Sequence, residues 1–146
     1  MEDLIDTANI HGWLQEKVGV VENRLAFAVT AFAGNDEKKL DSVKKAIFCW
    51  GEKNPVKEGT TLKAAYDYLE NTLLNGMPCD RVNELAEDGP EKLVWRQTRD
   101  IHASYWEANQ GNPENYHILR ASLIEGMMKG SGIGFSRAGE LYELKK

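Results

Sequence analysis

Apolar residues keep a helical spacing through most of this chain and change to strand spacing only at its end. That change restricts the fold more than any other feature. Leu40, Val43, Ile47 and Trp50 lie three, four and three residues apart, which puts them on one face of a helix, with Lys38, Lys39, Lys44 and Lys45 mostly on the other. Upstream, Leu4, Ile5, Ala8, Trp13 and Leu14 begin a looser stripe that Val18, Val21, Leu25, Val29 and Phe32 continue. Gly12 and Gly19 interrupt it, so this region reads as one broken helix or two in series. Asn35 or Asp36 can cap the helix that follows, and Asn54-Pro55 stops it. Thr60 or Thr61 opens a third helix with Leu62, Tyr66, Leu69 and Leu73 as its buried face, and Asn75-Gly76 ends it.

Between Met77 and Pro90 turn residues surround a short helix expected over Asp80 to Ala86. A strand is expected near 92–98, then a short helix over Ala103 to Ala108. Pro113 suits the first turn of a last helix, whose apolar face is Tyr116, Leu119, Leu123 and Met127. Ile133 and Phe135, then Tyr142 and Leu144, alternate as strands do, with Ala138-Gly139 as the turn of a hairpin between them. A chain of 146 residues fits one domain and can bury a core without metal or disulfide staples. The expected fold is therefore α+β: a helix-dominated single domain of about five helices, a short strand near 92–98 and a C-terminal β-hairpin.

The net charge of −5 and the scattering of lysines in pairs exclude a basic face for phosphate, so no nucleic-acid partner is expected. No segment is apolar enough for a membrane span, and the acidic start, Met1-Glu2-Asp3, is unlike a signal peptide. A cytoplasmic protein is the expectation. Cys49 and Cys79 have no partner at Cys-x-x-Cys spacing, so both read as bystander thiols rather than zinc ligands or a disulfide pair. Gly130-Ser131-Gly132-Ile133-Gly134 follows a helix instead of opening one, so it is no phosphate loop, and no cofactor is implied.

Chemistry-bearing side chains gather between Trp95 and His117. If Asp100 and His102 share a strand end, both point to one face, and a carboxylate beside an imidazole can orient it as a general base. In the plainer alternative, Asp100 caps the short helix that contains Trp106 and His102 is a surface residue of its first turn. Asp100, His102 and His117 are acceptable metal ligands, but their spacing matches no metal signature and no metal is expected.

Val43-Lys44-Lys45-Ala46-Ile47, Trp50-Gly51-Glu52-Lys53, the run Thr98 to Trp106, then Tyr116, Gly126 and the 133–144 hairpin together resemble the L-2-amino-thiazoline-4-carboxylic acid hydrolase-like family. The resemblance covers Val43 to the C-terminus and places His102 and Trp106 on family positions. It departs at Asp100, where the family has a cysteine, and near Ile118, where the family's second cysteine has no counterpart. It implies a small-molecule hydrolase acting on a thiazoline or another cyclic amide or amidine. Asp100 and His102 would activate water, Trp95, Tyr105, Trp106 and Tyr116 would line the pocket, and Arg120 would hold a substrate carboxylate. The stretch Leu119 to Leu144 also resembles small-ligand-binding domains of the 4-vinyl reductase type, which implies a non-catalytic sensory module. A third reading is a structural protein with Trp-bearing helices paired across a two-fold axis. A homodimer is compatible with all three.

Overall fold

A computed structural model describes residues 9–146; Leu4, Ile5 and Ala8 lie outside the described residues. The chain runs α1 (Ile10–Ala33), α2 (Glu37–Glu52), α3 (Leu62–Thr72), a single 3-10 turn at Pro78–Asp80, β1 (Asn83–Asp88), β2 (Lys92–Gln97), α4 (Ala103–Ala108), α5 (Pro113–Met128), β3 (Gly134–Ala138) and β4 (Leu141–Lys145). It is an α+β fold with one antiparallel sheet in the order β1-β2-β4-β3. Among the described residues, no helix is long and apolar enough to cross a membrane.

Local chemistry sets the helix ends. Asp36 accepts hydrogen bonds from the N–H groups of Lys38 and Lys39 at 3.0 and 3.2 Å, and Thr61 accepts from Ala64 N–H at 3.2 Å. Each side chain satisfies donors that the first turn leaves without a partner. The hairpin of β3 and β4 turns through Gly139 and Glu140, with Gly139 at φ 61, as a tight turn with glycine in its first central position demands.

Three expectations need correction. First, α1 is unbroken from Ile10, and its buried residues are Glu22, Ala26, Val29 and Ala33, while Val21 and Phe32 are exposed. Small alanines let this side of the helix come close to its neighbours, so packing rotates the stripe one residue away from where hydrophobicity alone puts it. Second, Trp50 is exposed; Leu40, Val43 and Ile47 alone of that face pack inward. Third, the helix expected over Asp80 to Ala86 is replaced by the 3-10 turn and β1. That strand is an edge strand with every residue after Asn83 exposed, so no alternation of apolar and polar residues reveals it. Cross-strand pairing with β2, interrupted by a bulge between Leu85 and Glu87, defines it instead.

The core has two parts. In one, Leu93 and Trp95 of β2 and Tyr142 and Leu144 of β4 form the inward sheet face and meet Leu62, Tyr66 and Leu69 of α3 and Ile124 and Met127 of α5. The Trp95 and Tyr142 rings stack at 5.3 Å. In the other, Ala26 and Val29 of α1 meet Trp106, Tyr116 and Leu119. The inward face of β2 continues beyond Trp95 to Gln97, which is buried and polar. There the two cores are separated by a layer of buried hydrogen-bonding groups.

Candidate functional site

Beyond Gln97 the chain leaves β2, and residues 98–102 form an irregular turn into α4. The two-residue strand period therefore does not apply at Asp100 and His102, and their side chains take different partners. Oδ1 of Asp100 accepts from the backbone N–H of His102 at 2.8 Å and of Ala103 at 3.1 Å, so it caps α4. Its Oδ2 lies 2.8 Å from Nε2 of His117. The His102 imidazole turns inward, fully buried. Its Nδ1 lies 2.6 Å from Oε1 of Glu22 and its Nε2 lies 3.2 Å from Oδ1 of Asn75. The expected pairing of Asp100 with the His102 ring is thus replaced by two acid–imidazole pairs, Asp100–His117 and Glu22–His102.

The Tyr116 ring lies between these pairs, stacked on His102 with centroids 3.6 Å apart and edge-on to His117. Its hydroxyl donates to the carbonyl of Leu74. Burial pushes the phenol well above its ordinary range, against a smaller opposing effect of Arg120, so Tyr116 acts as a neutral donor. Arg120 is also buried. Its guanidinium donates to Gln97 Oε1 at 2.8 Å and to the Tyr142 hydroxyl at 2.6 Å, and it sits over the faces of Tyr116 and Tyr142. A longer contact of 3.5 Å reaches Asn75 Oδ1. Because a guanidinium only donates, it holds the Asn75 oxygen toward the network, so His102 Nε2 also donates there.

Among the buried atoms here without a hydrogen-bond partner, His117 Nδ1, Arg120 Nε and Glu22 Oε2, the last belongs to a carboxylate. Glu22 is 1% exposed, and this oxygen makes no hydrogen bond to any described residue. Leaving a buried acceptor unmet costs about 1–3 kcal/mol, and more for a charged group. Glu22 forms part of the wall of a recess of about 120 Å³, with Gln15, Val18, Gly76, Met77, Asp80, Ile101 and Tyr105 around it. Such a carboxylate can receive a donor-bearing head group or take a proton from a bound molecule.

Of the residues expected to line a pocket, Tyr105 reaches this recess, where it also packs against Gly19. Trp95 and Trp106 do not: both are buried within the two cores, where their rings pack against apolar neighbours, the indole N–H of Trp106 having no partner among the described residues. Tyr116 and Arg120 belong to the buried network, with Arg120 donating to protein oxygens. Asp100 and His117 instead line a separate shallow cleft of about 310 Å³ with Arg99, Glu114 and Arg137. Among the described residues, no three His, Cys, Asp or Glu side chains gather as a metal site.

The Asp100–His117 pair carries a pH dependence. Burial lowers the His117 imidazole below its ordinary value despite the contact with Asp100, and Arg120 and Arg137 lower it further. For Asp100, burial alone would raise the carboxyl, but His117 and the two capping N–H groups outweigh it and hold the group below its usual range. Both shifts have the same sign. The unfolded chain binds protons more readily than the folded one, so stability falls on acidification. The His117 contribution is lost as pH falls from about 6.5, the ordinary imidazole value, and that of Asp100 only below about 3.9. In urea titrations the midpoint is expected to drop between pH 7 and pH 5, and His117→Gln should flatten that drop. An equal drop in the variant would remove His117 as its source.

Glu22 was the residue hardest to find from sequence. Its one signal is that an acid occupies the position four before Ala26 and seven before Val29, on what proves to be the buried ladder of α1. Compared with known proteins, the chain matches no family model, no curated protein and no solved structure.

Proposed function

We propose that the protein binds a small molecule through a hydrogen-bond-donating, cationic head group, such as an amidinium or ammonium, received by Glu22 in the recess between α1 and the 76–80 segment. The observation that carries this reading is Oε2 of Glu22, a buried carboxylate oxygen with no partner among the described residues. His102 holds the other oxygen, and Asn75, itself contacted by Arg120, holds His102, so the carboxylate is fixed in place. A head group of a few heavy atoms suits the volume, and Val18, Met77 and Ile101 supply the apolar contact.

Hydrolysis of a cyclic amide or amidine is the second reading. It is favoured by the same oxygen, since a carboxylate with one oxygen held and the other unpartnered can take a proton from an attacking water. Glu22 replaces Asp100 as the base in that scheme, and His102 becomes the group that positions it.

Thermal unfolding in the presence of acetamidine, methylammonium or acetate tests the proposal. At a ligand concentration ten times its Kd, the expected stabilisation is about 1.4 kcal/mol, a rise of about 3–6 °C in Tm for a domain of this size. The cations should give that rise and acetate should not, and Glu22→Gln should abolish it. A rise that survives Glu22→Gln, or one given equally by acetate, would count against Glu22 as the receptor. Product formation from a cyclic amidine, lost in Glu22→Gln, would favour the hydrolytic reading over binding alone.

A further inference from the structure

We infer that Cys79 and His11 form a nucleophile–base pair beside the Glu22 recess, able to bond covalently to an electrophilic carbonyl or imidoyl carbon. The sequence presents Cys79 as a bystander, and the fold changes its surroundings. Its Sγ lies 3.1 Å from Nε2 of His11, across a sequence separation of 68 residues. With the ring proton on Nδ1, Nε2 is the acceptor of the thiol proton. Both residues are exposed, so the thiol is open to a reactant.

Position connects this pair to the recess. His11, Gln15, Val18 and Glu22 recur at spacings of four, three and four, and so share one face of α1. The last three of these line the recess. On the facing segment, Met77 and Asp80 line it too; Cys79 lies between them in the 3-10 turn and, like His11, stands outside the wall. That turn is held in place. The Asp80 carboxylate accepts from the N–H of Met77 at 2.7 Å, and Arg81 closes it in the left-handed region at φ 47. Backbone held in a sparsely populated conformation is common at sites of chemistry. The buried, unpartnered oxygen of Glu22, which borders the recess, is an independent sign that the recess takes a ligand.

The step balances without an added oxidant or cofactor. As the Cys79 sulfur bonds to the carbon, its proton passes to His11 Nε2. The carbon–nitrogen bond then breaks, and the imidazolium returns that proton to the leaving amine. Water cleaves the resulting thioester, or the thioimidate formed from an imidoyl carbon, releasing a carboxylic acid or an amide and restoring the thiol. Since the thiol stands outside the recess that Glu22 borders, the carbon attacked belongs to the end of the ligand remote from its cationic head. The inference goes beyond the binding reading and rests on it for which end of the ligand is attacked; the reactivity of the pair does not.

Alkylation of the intact protein by iodoacetamide at pH 7, with each cysteine followed separately by peptide mass spectrometry, tests the pair. Cys49 is also exposed and serves as the clock within the same molecule. Cys79 is expected to react about tenfold or more faster than Cys49, as base assistance implies. His11→Ala should remove that advantage, and added imidazole should restore part of it. Equal rates for the two cysteines in the parent protein, or a ratio unchanged by His11→Ala, would overturn the inference. No ligand is present in this measurement, so either result leaves the Glu22 reading to its own test.

Discussion

His102→Ala is expected to lower the unfolding free energy by about 3–5 kcal/mol, as measured by urea denaturation at pH 7. The imidazole is fully buried, and so is its partner Glu22. Removing the ring takes away the one hydrogen bond of a 1% exposed carboxylate, and it also removes the ring stacked on Tyr116. A loss of this size is a large fraction of the roughly 5–15 kcal/mol that holds a domain together. Removing both polar partners is different, because two apolar side chains of similar volume need no hydrogen bonds. Glu22→Met with His102→Leu should therefore recover at least about half of the loss, since such exchanges are often near neutral. A double variant as unstable as His102→Ala would show that ring packing, and not the stranded charge, dominates.

Gly126→Ala is expected to destabilise by about 2–3 kcal/mol, although alanine is normally the better helix former by about 0.8–1.0 kcal/mol. The reversal comes from the crossing of α2 and α5. A Cβ on Gly126 would lie 3.0 Å from the carbonyl carbon of Phe48, closer still to its oxygen, and 3.2 Å from Glu52 N. A Cβ on Gly51 would meet Met127 N at 2.8 Å and Gly126 C at 3.0 Å. These are backbone atoms, which cannot swing aside as a flexible side chain would. The helices must separate, which also strains the bond from Ser122 Oγ to Lys44 O at 2.9 Å. The same urea titration measures the effect; a variant as stable as the parent would mean that the crossing yields without cost.

The contrast between these two sites shows what sequence can reveal. Leu40, Val43 and Ile47 of the α2 face, the Asp36 and Thr61 caps and the terminal hairpin are legible because each rests on residues a few places apart. β1 is not, because Asn-Glu-Leu-Ala-Glu-Asp has no buried alternation and becomes a strand only when β2 lies alongside. The candidate site follows the same rule. Asp100 as a cap is a local fact, and sequence reading offered it as an alternative. The partners of the two histidines are not local. His102 finds Glu22 across 80 residues, and Asp100 finds His117 across 17. A glutamate inside a helix reads as a solvated residue until the packing of Ala26 and Ala33 decides which side of α1 faces inward. Likewise, nothing near Cys79 in the chain announces a histidine from α1.

The outer edge of the sheet has a consequence for how these molecules behave in company. β1 presents Glu84, Glu87 and Asp88 along an exposed ladder, and the irregularity between Leu85 and Glu87 breaks its straight run. A neighbouring chain that tried to extend the sheet there would bring like charges together along a bent template. The strand that sequence hides most completely is thus also the one that discourages crowded copies from joining edge to edge into fibrils.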